Sequence, residues 1–333
     1  MEKKILLIQT AFIGDVVLAT SVAEKLYAYF PGAAIDFMLR KGSESLLEGH
    51  PFIRNILVWD KKGEKYGGLF RLLRTVRKKK YDLVINLQRF GATGFLTAFS
   101  GAGETTGFDK NPFSFLFSRR IPHVISSLER PLHEIDRNQM LIAHLTDQSA
   151  AKPRLYPSPE DLDKVSSYKQ QPYICIAPAS VWFTKQYPKE KWISFLSALP
   201  ITLRVYVIGA PSDISLAEGI IRESPNAGCI INLCGKLSLL QSAALQKDAV
   251  MNYVNDSGPM HFASAVNAPV TAIYCSTIPA FGFGPLSDQS YIVESPVVLD
   301  CRPCGLHGRP ACPRGHFNCA HFIRDEQLIE TMK

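Results

Sequence analysis

The sequence predicts an α/β protein made of two open parallel sheets, one in each half of the chain. Three observations carry this. Short apolar runs recur, each followed by a stretch with helical spacing. The alternation breaks at "QSAAKPRLYPSPED" (148–161), rich in proline and small polar residues, and then restarts. The chain has 333 residues, enough for two domains of ordinary size.

The elements follow in order. "KKILLIQT" (3–10) is a continuous apolar run, as expected of a strand buried on both faces. From Asp15 to Phe30 the spacing turns helical, and Pro31-Gly32 ends it. "AAIDFMLR" (33–40) and "RNILVWD" (54–60) read as strands, then a basic amphipathic helix (61–80), then the strand "YDLVINLQ" (81–88). After the linker come "PYICIAPAS" (172–180), a helix near 189–199, "LRVYVIGA" (203–210) and a helix near 213–223. "CIINLCG" (229–235), a helix near 238–247, "AVMNYVN" (249–255), a helix from about 258 and "PVTAIYC" (269–275) complete the second set. The expected division is a first domain over 1–155, a linker over 156–171, a second domain over 172–320 and a closing helix over 321–333.

Composition narrows the function. Hydrophobic residues make up 46% and charged residues 20%, a core-forming balance. No apolar run reaches the length of a membrane span, and "ILLI" after "MEKK" is too short for a signal peptide, so a cytoplasmic protein is expected. The net charge of +7 is modest, but Lys and Arg crowd into 60–82. That stretch is either a solvated helix face or a surface that meets an anionic partner. A nucleic-acid binder fits poorly, because the basic run lacks interleaved stacking aromatics. A dinucleotide oxidoreductase fits less well, because the first strand is followed by "TAFIGD" and not by G-x-G-x-x-G.

Ligands of open α/β sheets bind beyond the carboxyl ends of the strands. Three stretches there carry chemistry. In the first, Gly14 and Asp15 follow the opening strand. A first-turn acid suits the helix dipole; it also suits a general base facing a cleft, with Gly14 allowing close approach. "APASVWFTKQYPKEKW" (177–192) offers the Ser180 and Thr184 hydroxyls and the Lys185 ammonium ahead of a helix that opens at Pro188. "VNDSGPMHFASAVNAPV" (254–270) ends a strand and turns at Asp256, Ser257 and Gly258 into a helix that carries His261. The N–H groups of that helix start can hold a diphosphate, while Asp256 calls for a sugar hydroxyl or an ammonium.

These segments, with "DLVINLQ…TGFDK" (82–110) and "HEIDRNQMLIAHL" (133–145), resemble the heptosyltransferases of glycosyltransferase family 9 in order and over nearly the whole chain. The "D-[ST]-G-x-x-H-x-A" likeness at 256–263 is the most specific. The resemblance implies a GT-B fold, with two Rossmann-like domains facing each other across a cleft. It implies inverting transfer of a heptose from ADP-heptose to an anionic lipopolysaccharide-core acceptor, Kdo-lipid A or a heptosylated core, with no obligatory metal or other cofactor. Asp15 would be the base and Lys185 would neutralise the departing diphosphate. Ser180, Thr184, Asp213, Asp256, Ser257, Gly258 and His261 would line the donor pocket. Gly14, Arg40, Lys41, Arg89 and the basic helix would meet the acceptor and attach the enzyme peripherally to the inner membrane's cytoplasmic face. The chain has Tyr187-Pro188 where family members often carry Trp-Pro, and "CSTIPAFGFGPLSD" where a "GPT-D-P" pattern is usual.

Of eight cysteines, 175, 229, 234 and 275 lie in or beside apolar segments and read as buried thiols. Cys301, Cys304, Cys312 and Cys319, with His307, His316 and His321, crowd one segment. By spacing they suit either a packed, reduced loop or a structural zinc. In the GT-B fold the tail after them commonly crosses back onto the first domain.

Overall fold

A computed structural model describes residues 2–63 and 65–332. Met1, Glu64 of the basic segment and Lys333 of the tail lie outside the described residues. The chain divides into two compact units: Met1–Ser126 with Leu132–Tyr156, and Ser127–Pro131 with Pro157–Lys333.

In the first unit the strands are β1 (Lys4–Ile8), β2 (Ala34–Arg40), β3 (Ile53–Trp59), β4 (Leu83–Asn86), β5 (Glu104–Phe108) and β6 (Arg119–Ile121). They form one parallel sheet in the order β3-β2-β1-β4-β5-β6. Helices α1 (Ile13–Tyr29), α2 (Lys65–Lys79), α3 (Gly91–Ala98) and α4 (Glu134–Met140) accompany it. Ile5 to Ile8 are wholly buried, as a strand covered on both faces must be. Helix α2 buries Leu69 and Val76 against a core that includes Leu6, Met38, Trp59 and Val84. Its last turn is tied down by Lys79, whose ammonium lies 2.7 Å from buried Asp36. Asp36 also accepts hydrogen bonds from Tyr81 (2.6 Å) and Asn55 (2.8 Å), so its charge is fully compensated.

The second unit repeats the plan. Strands β7 (Tyr173–Ala177), β8 (Arg204–Val207), β9 (Ile230–Asn232), β10 (Met251–Asn255), β11 (Val270–Tyr274) and β12 (Ser290–Glu294) run parallel in the order β12-β11-β10-β7-β8-β9. Trp192 and Phe195 of α6 (Lys189–Ser197) and Ile220 of α7 (Ile214–Glu223) pack in one core cluster. A second cluster takes residues from α8 (Leu239–Lys247) and α9 (Gly258–Ala265). Each sheet reverses its strand order beside its first strand, between β1 and β4 and between β7 and β10. In open α/β sheets the crevice at that reversal is where ligands sit.

Several expectations need correction. Strands β5, β6 and β12 were invisible to apolar patterning. "ETTGF" is polar, and β6 and β12 are largely exposed at sheet ends. Gly107, expected in a turn, lies inside β5, where a Cβ would come 2.6 Å from the Phe117 ring. The expected linker holds a helix, α5 (Pro159–Lys164), started by Ser158 and Asp161 in a reciprocal cap. Cys229 is only half-buried, in a short 3-10 turn before β9. The tail belongs to the second unit: Leu328 of α11 (Asp325–Ile329) is in that unit's core, and its carbonyl accepts a hydrogen bond from Tyr253 at 3.0 Å.

Candidate active site

The second unit presents a buried ion pair at its strand reversal. Lys185, in the loop after β7, places its ammonium 2.7 Å from Asp256, which follows β10. Side-chain exposures of 15% and 9% put the pair largely out of water. Asp256 also accepts a hydrogen bond from Thr277 at 2.7 Å. Of the two partners the sequence allowed Asp256, the structure supplies the ammonium. Ser257 caps α9 and Gly258 begins it, next to the pair in the chain; Pro259 has no N–H and that of Met260 bonds the Ser257 carbonyl at 3.1 Å, so the Ser257 and Gly258 N–H groups are what this helix start offers. The Ser257 hydroxyl turns back to the Asn255 carbonyl at 3.3 Å. His261 is buried one turn further in, edge-on to Phe283, in a packing position.

The loop carrying Lys185 is fastened from three directions. Asn255, wholly buried, donates to the Pro178 carbonyl at 2.8 Å and accepts from the Tyr187 N–H at 3.0 Å, gripping both ends of the loop. Tyr187 itself is buried edge-to-face against Trp192, which explains an aromatic residue before Pro188. Thr184 is 1% exposed. Its hydroxyl accepts from the Arg309 N–H (2.7 Å) and the Ser276 hydroxyl (2.9 Å), and its own N–H donates to the Arg309 carbonyl (3.1 Å). Thr184, expected to touch donor, here ties its loop to Arg309 and Ser276. Ser180 is half-buried near the loop's start, where its carbonyl accepts from Gln186 at 2.7 Å. Asp213, after β8, bonds the Ala210 N–H at 2.8 Å and keeps close company with Gly209, where a Cβ would meet its carboxylate at 2.7 Å.

The Cys-rich segment is the third fastening. Arg302 donates to the carbonyls of Cys275 (2.7 Å), Thr277 (2.8 Å) and Tyr274 (3.3 Å), and to Glu294 (2.6 Å). It thereby holds the carboxyl end of β11, which carries Thr277. Gly308 packs so close that a Cβ there would come 2.9 Å from Cγ of Lys185. The four tail thiols are free. Cys319 is buried in the core, and Cys304 donates to the Cys301 carbonyl at 3.2 Å. Burial raises the Cys304 and Cys319 thiols, Cys319 to about 12, with the neighbouring tail cysteines raising both further. Cys301 Sγ lies 3.8 Å from His316 Nε2, and among the described residues no three His, Cys, Asp or Glu side chains gather as a metal site would need.

In the first unit, Asp15 lies in the first turn of α1, half-buried, and accepts the Phe12 N–H at 3.1 Å. It therefore does cap its helix, while standing beyond the end of β1. Gly14 precedes it, also half-buried. Arg89, exposed, follows β4 across the reversal. Arg40, at the end of β2, stacks on the Phe12 ring at 4.8 Å. Lys41 is engaged by Asp60 at 2.9 Å. Lys61 donates to the Thr10 carbonyl at 2.7 Å, and its pKa is lowered by burial and then by the Arg40 charge.

Sequence reading missed the group behind Asp15. Glu134, at the start of α4, is buried and lies 3.1 Å from Arg137. Burial pushes its pKa up to about 7; Arg137 pulls it down, and the Asp15 charge pushes it up again. His123 is held neutral, its pKa lowered to about 4 by burial and by Arg137 and Arg89. Only an adjacent acid and base in "HEIDRNQM" hinted at this. Asn255, Arg302 and Arg309 were hidden because each acts through backbone groups that no motif displays.

Two parallel six-stranded α/β units of this kind are the architecture of the GT-B glycosyltransferases. Residues 69–306 match the family model for glycosyltransferase family 9 (heptosyltransferase), and the chain belongs to that family. Lipopolysaccharide heptosyltransferase 1 of Pseudomonas aeruginosa is 22% identical over 90% of this chain and 86% of its own. A glycosyltransferase family 9 structure from Veillonella parvula superposes with a TM-score of 0.86 at 22% identity, over 99% of this chain and 96% of that one. The E. coli ADP-heptose lipopolysaccharide heptosyltransferase II superposes with a TM-score of 0.78 at 22% identity, over 99% and 98%. These likenesses place the fold.

Proposed function

We propose that the protein transfers a heptose from ADP-heptose to the inner core of lipopolysaccharide with inversion. The Lys185–Asp256 pair, set beside the α9 N-terminus, is the observation that carries this reading. Asp15 takes the proton of the acceptor hydroxyl as that oxygen attacks the anomeric carbon. The bond from that carbon to the diphosphate breaks and ADP leaves with the electron pair. Lys185 and the α9 N–H groups receive the added negative charge. Asp256 holds the ammonium until the diphosphate competes for it. Ser180, Ser257 and Asp213 address the donor's sugar and ribose hydroxyls. Arg40 and Arg89 meet the acceptor's phosphates or carboxylates, with Gly14 giving it room; Lys41 joins them only if it leaves Asp60. The similar proteins are named for lipopolysaccharide and ADP-heptose, which supports the substrate pair.

No helix among the described residues is long and apolar enough to cross a membrane. The enzyme works peripherally, at the cytoplasmic face of the inner membrane, where a lipid-anchored acceptor is made. The test is turnover of Kdo-lipid A and heptosylated core acceptors with ADP-heptose, GDP-sugars and UDP-sugars. Turnover with ADP-heptose alone is expected. Efficient transfer from another nucleotide sugar, with none from ADP-heptose, would replace this reading by that of a family member with a different donor.

A further inference from the structure

The first unit carries an exposed aromatic patch that the transfer reaction does not use. Phe70 of α2 meets Phe95 of α3 with ring centroids 5.9 Å apart, and Phe95 meets Phe99 at 4.9 Å and Phe113 at 6.0 Å. Phe115 and Leu116 continue it in the 3-10 turn after Phe113. These rings are not core: Phe70 is 56% and Phe115 70% exposed, and Phe99 and Leu116 are exposed too. A contiguous apolar surface of this kind is uncommon on a protein that meets only water.

Basic side chains border it, and Asp60 shares a pocket with Arg71. Positions 70, 74, 77 and 78 fall on one stripe of α2, opposite buried Leu69 and Val76. Arg74, Arg77 and Lys78 on that stripe, with Arg71 beside it, are exposed. Arg77 reaches the loop after α3, its Nε 4.0 Å from where a Gly101 Cβ would stand. The segments 67–79, 89–103 and 110–120, which build the patch and its border, contain no Asp or Glu. Aromatic rings bordered chiefly by arginine and lysine complement an anionic bilayer: rings enter the interface while cations stay with the headgroups.

We propose that Phe70, Phe99, Phe115 and Leu116, bordered by the α2 arginines, dock the first unit on an anionic phospholipid surface. This builds on the reading above, in which the acceptor is anchored in a bilayer, but it is tested separately. Flotation with phosphatidylethanolamine vesicles containing phosphatidylglycerol should carry the wild-type protein up, and phosphatidylcholine vesicles should not. Phe70→Ser/Phe99→Ser/Phe115→Ser should lower vesicle affinity by about tenfold or more. A Phe115→Trp variant should shift its emission to the blue on those vesicles and be quenched by brominated acyl chains. Equal flotation of the triple variant and wild type, failure of the wild type to float, or an unshifted Phe115→Trp spectrum would each overturn the docking face. Turnover of a water-soluble, deacylated acceptor by the triple variant should stay within about twofold of wild type, since no solution contact is removed. Loss of vesicle binding with that turnover intact supports docking; a negative vesicle result leaves the sugar-transfer reading standing.

Discussion

The two strand reversals solve the same problem by different means. In the second unit the key cation is locked: Asn255, Thr184, Arg309 and Arg302 fix its loop through a dense set of hydrogen bonds to backbone. In the first unit Asp15 accepts the N–H of its own helix start and feels the buried Glu134–Arg137 pair. In the proposed reaction, preorganised donors suit the group assigned to a leaving diphosphate, because they need not reorient. A tunable electrostatic bed suits a base, whose affinity for a proton must match the working pH.

The largest effect that separates the two regions is expected from Lys185→Ala. It should cut kcat/KM by roughly 10²–10³-fold and raise the donor KM, read by steady-state kinetics. It should also destabilise the fold, because it strands a buried carboxylate, by up to about 3 kcal/mol. Adding Asp256→Asn should recover melting temperature and leave activity low. Recovery of both would reduce the pair to a structural device.

Next comes Gly308→Ala. Its φ of +73° disfavours any side chain, by about 1–2 kcal/mol, and the new Cβ presses on the stem of Lys185. Gly305→Ala carries the same kind of strain, at φ +121°, with nothing within 4 Å. The donor KM should rise severalfold for Gly308→Ala and change little for Gly305→Ala. Equal KM values would mean that the Cys-rich segment does not set the position of Lys185.

The smallest effect is the pH dependence at Glu134. Its folded pKa of about 7 lies above the ordinary glutamate value of 4.5. Between those values the unfolded chain has released the proton that the folded one keeps, so this group's stabilisation is present below about 4.5 and is lost as pH rises to about 7. Glu134→Gln should remove that decline. Subtracting its stability curve from that of wild type, by urea denaturation across this range, isolates the contribution from His123, which runs the opposite way. A wild-type curve parallel to that of the variant would show that Glu134 does not hold its proton.

Much of the frame was legible because a strand buried on both faces writes itself as an apolar run. Thus β1, β2, β7, β10 and β11 could be read directly, and with them the loops bearing Asp15, Lys185 and Asp256. Edge strands β6 and β12 have exposed faces and leave no such trace. Within the sites, a side chain that acts by its own charge shows in the sequence. One that acts by holding backbone does not: Asn255 looks like any strand end, and Arg302 like a residue between cysteines. Thr184 shows the same limit, since its hydroxyl stands beside Lys185 in sequence but is buried against Arg309 in space. The burial that raises Glu134 depends on α4 meeting α1, a contact between segments far apart in the chain.

The central claim is that Asp15 removes the acceptor's proton and does little for the donor. Asp15→Asn keeps an oxygen for the Phe12 N–H and removes the base. Donor affinity, measured by titration calorimetry with ADP-heptose, should stay within about twofold of wild type, while kcat on a core acceptor falls by about 10²–10⁴-fold. Wild-type kcat in Asp15→Asn, with the fold intact, would contradict the account.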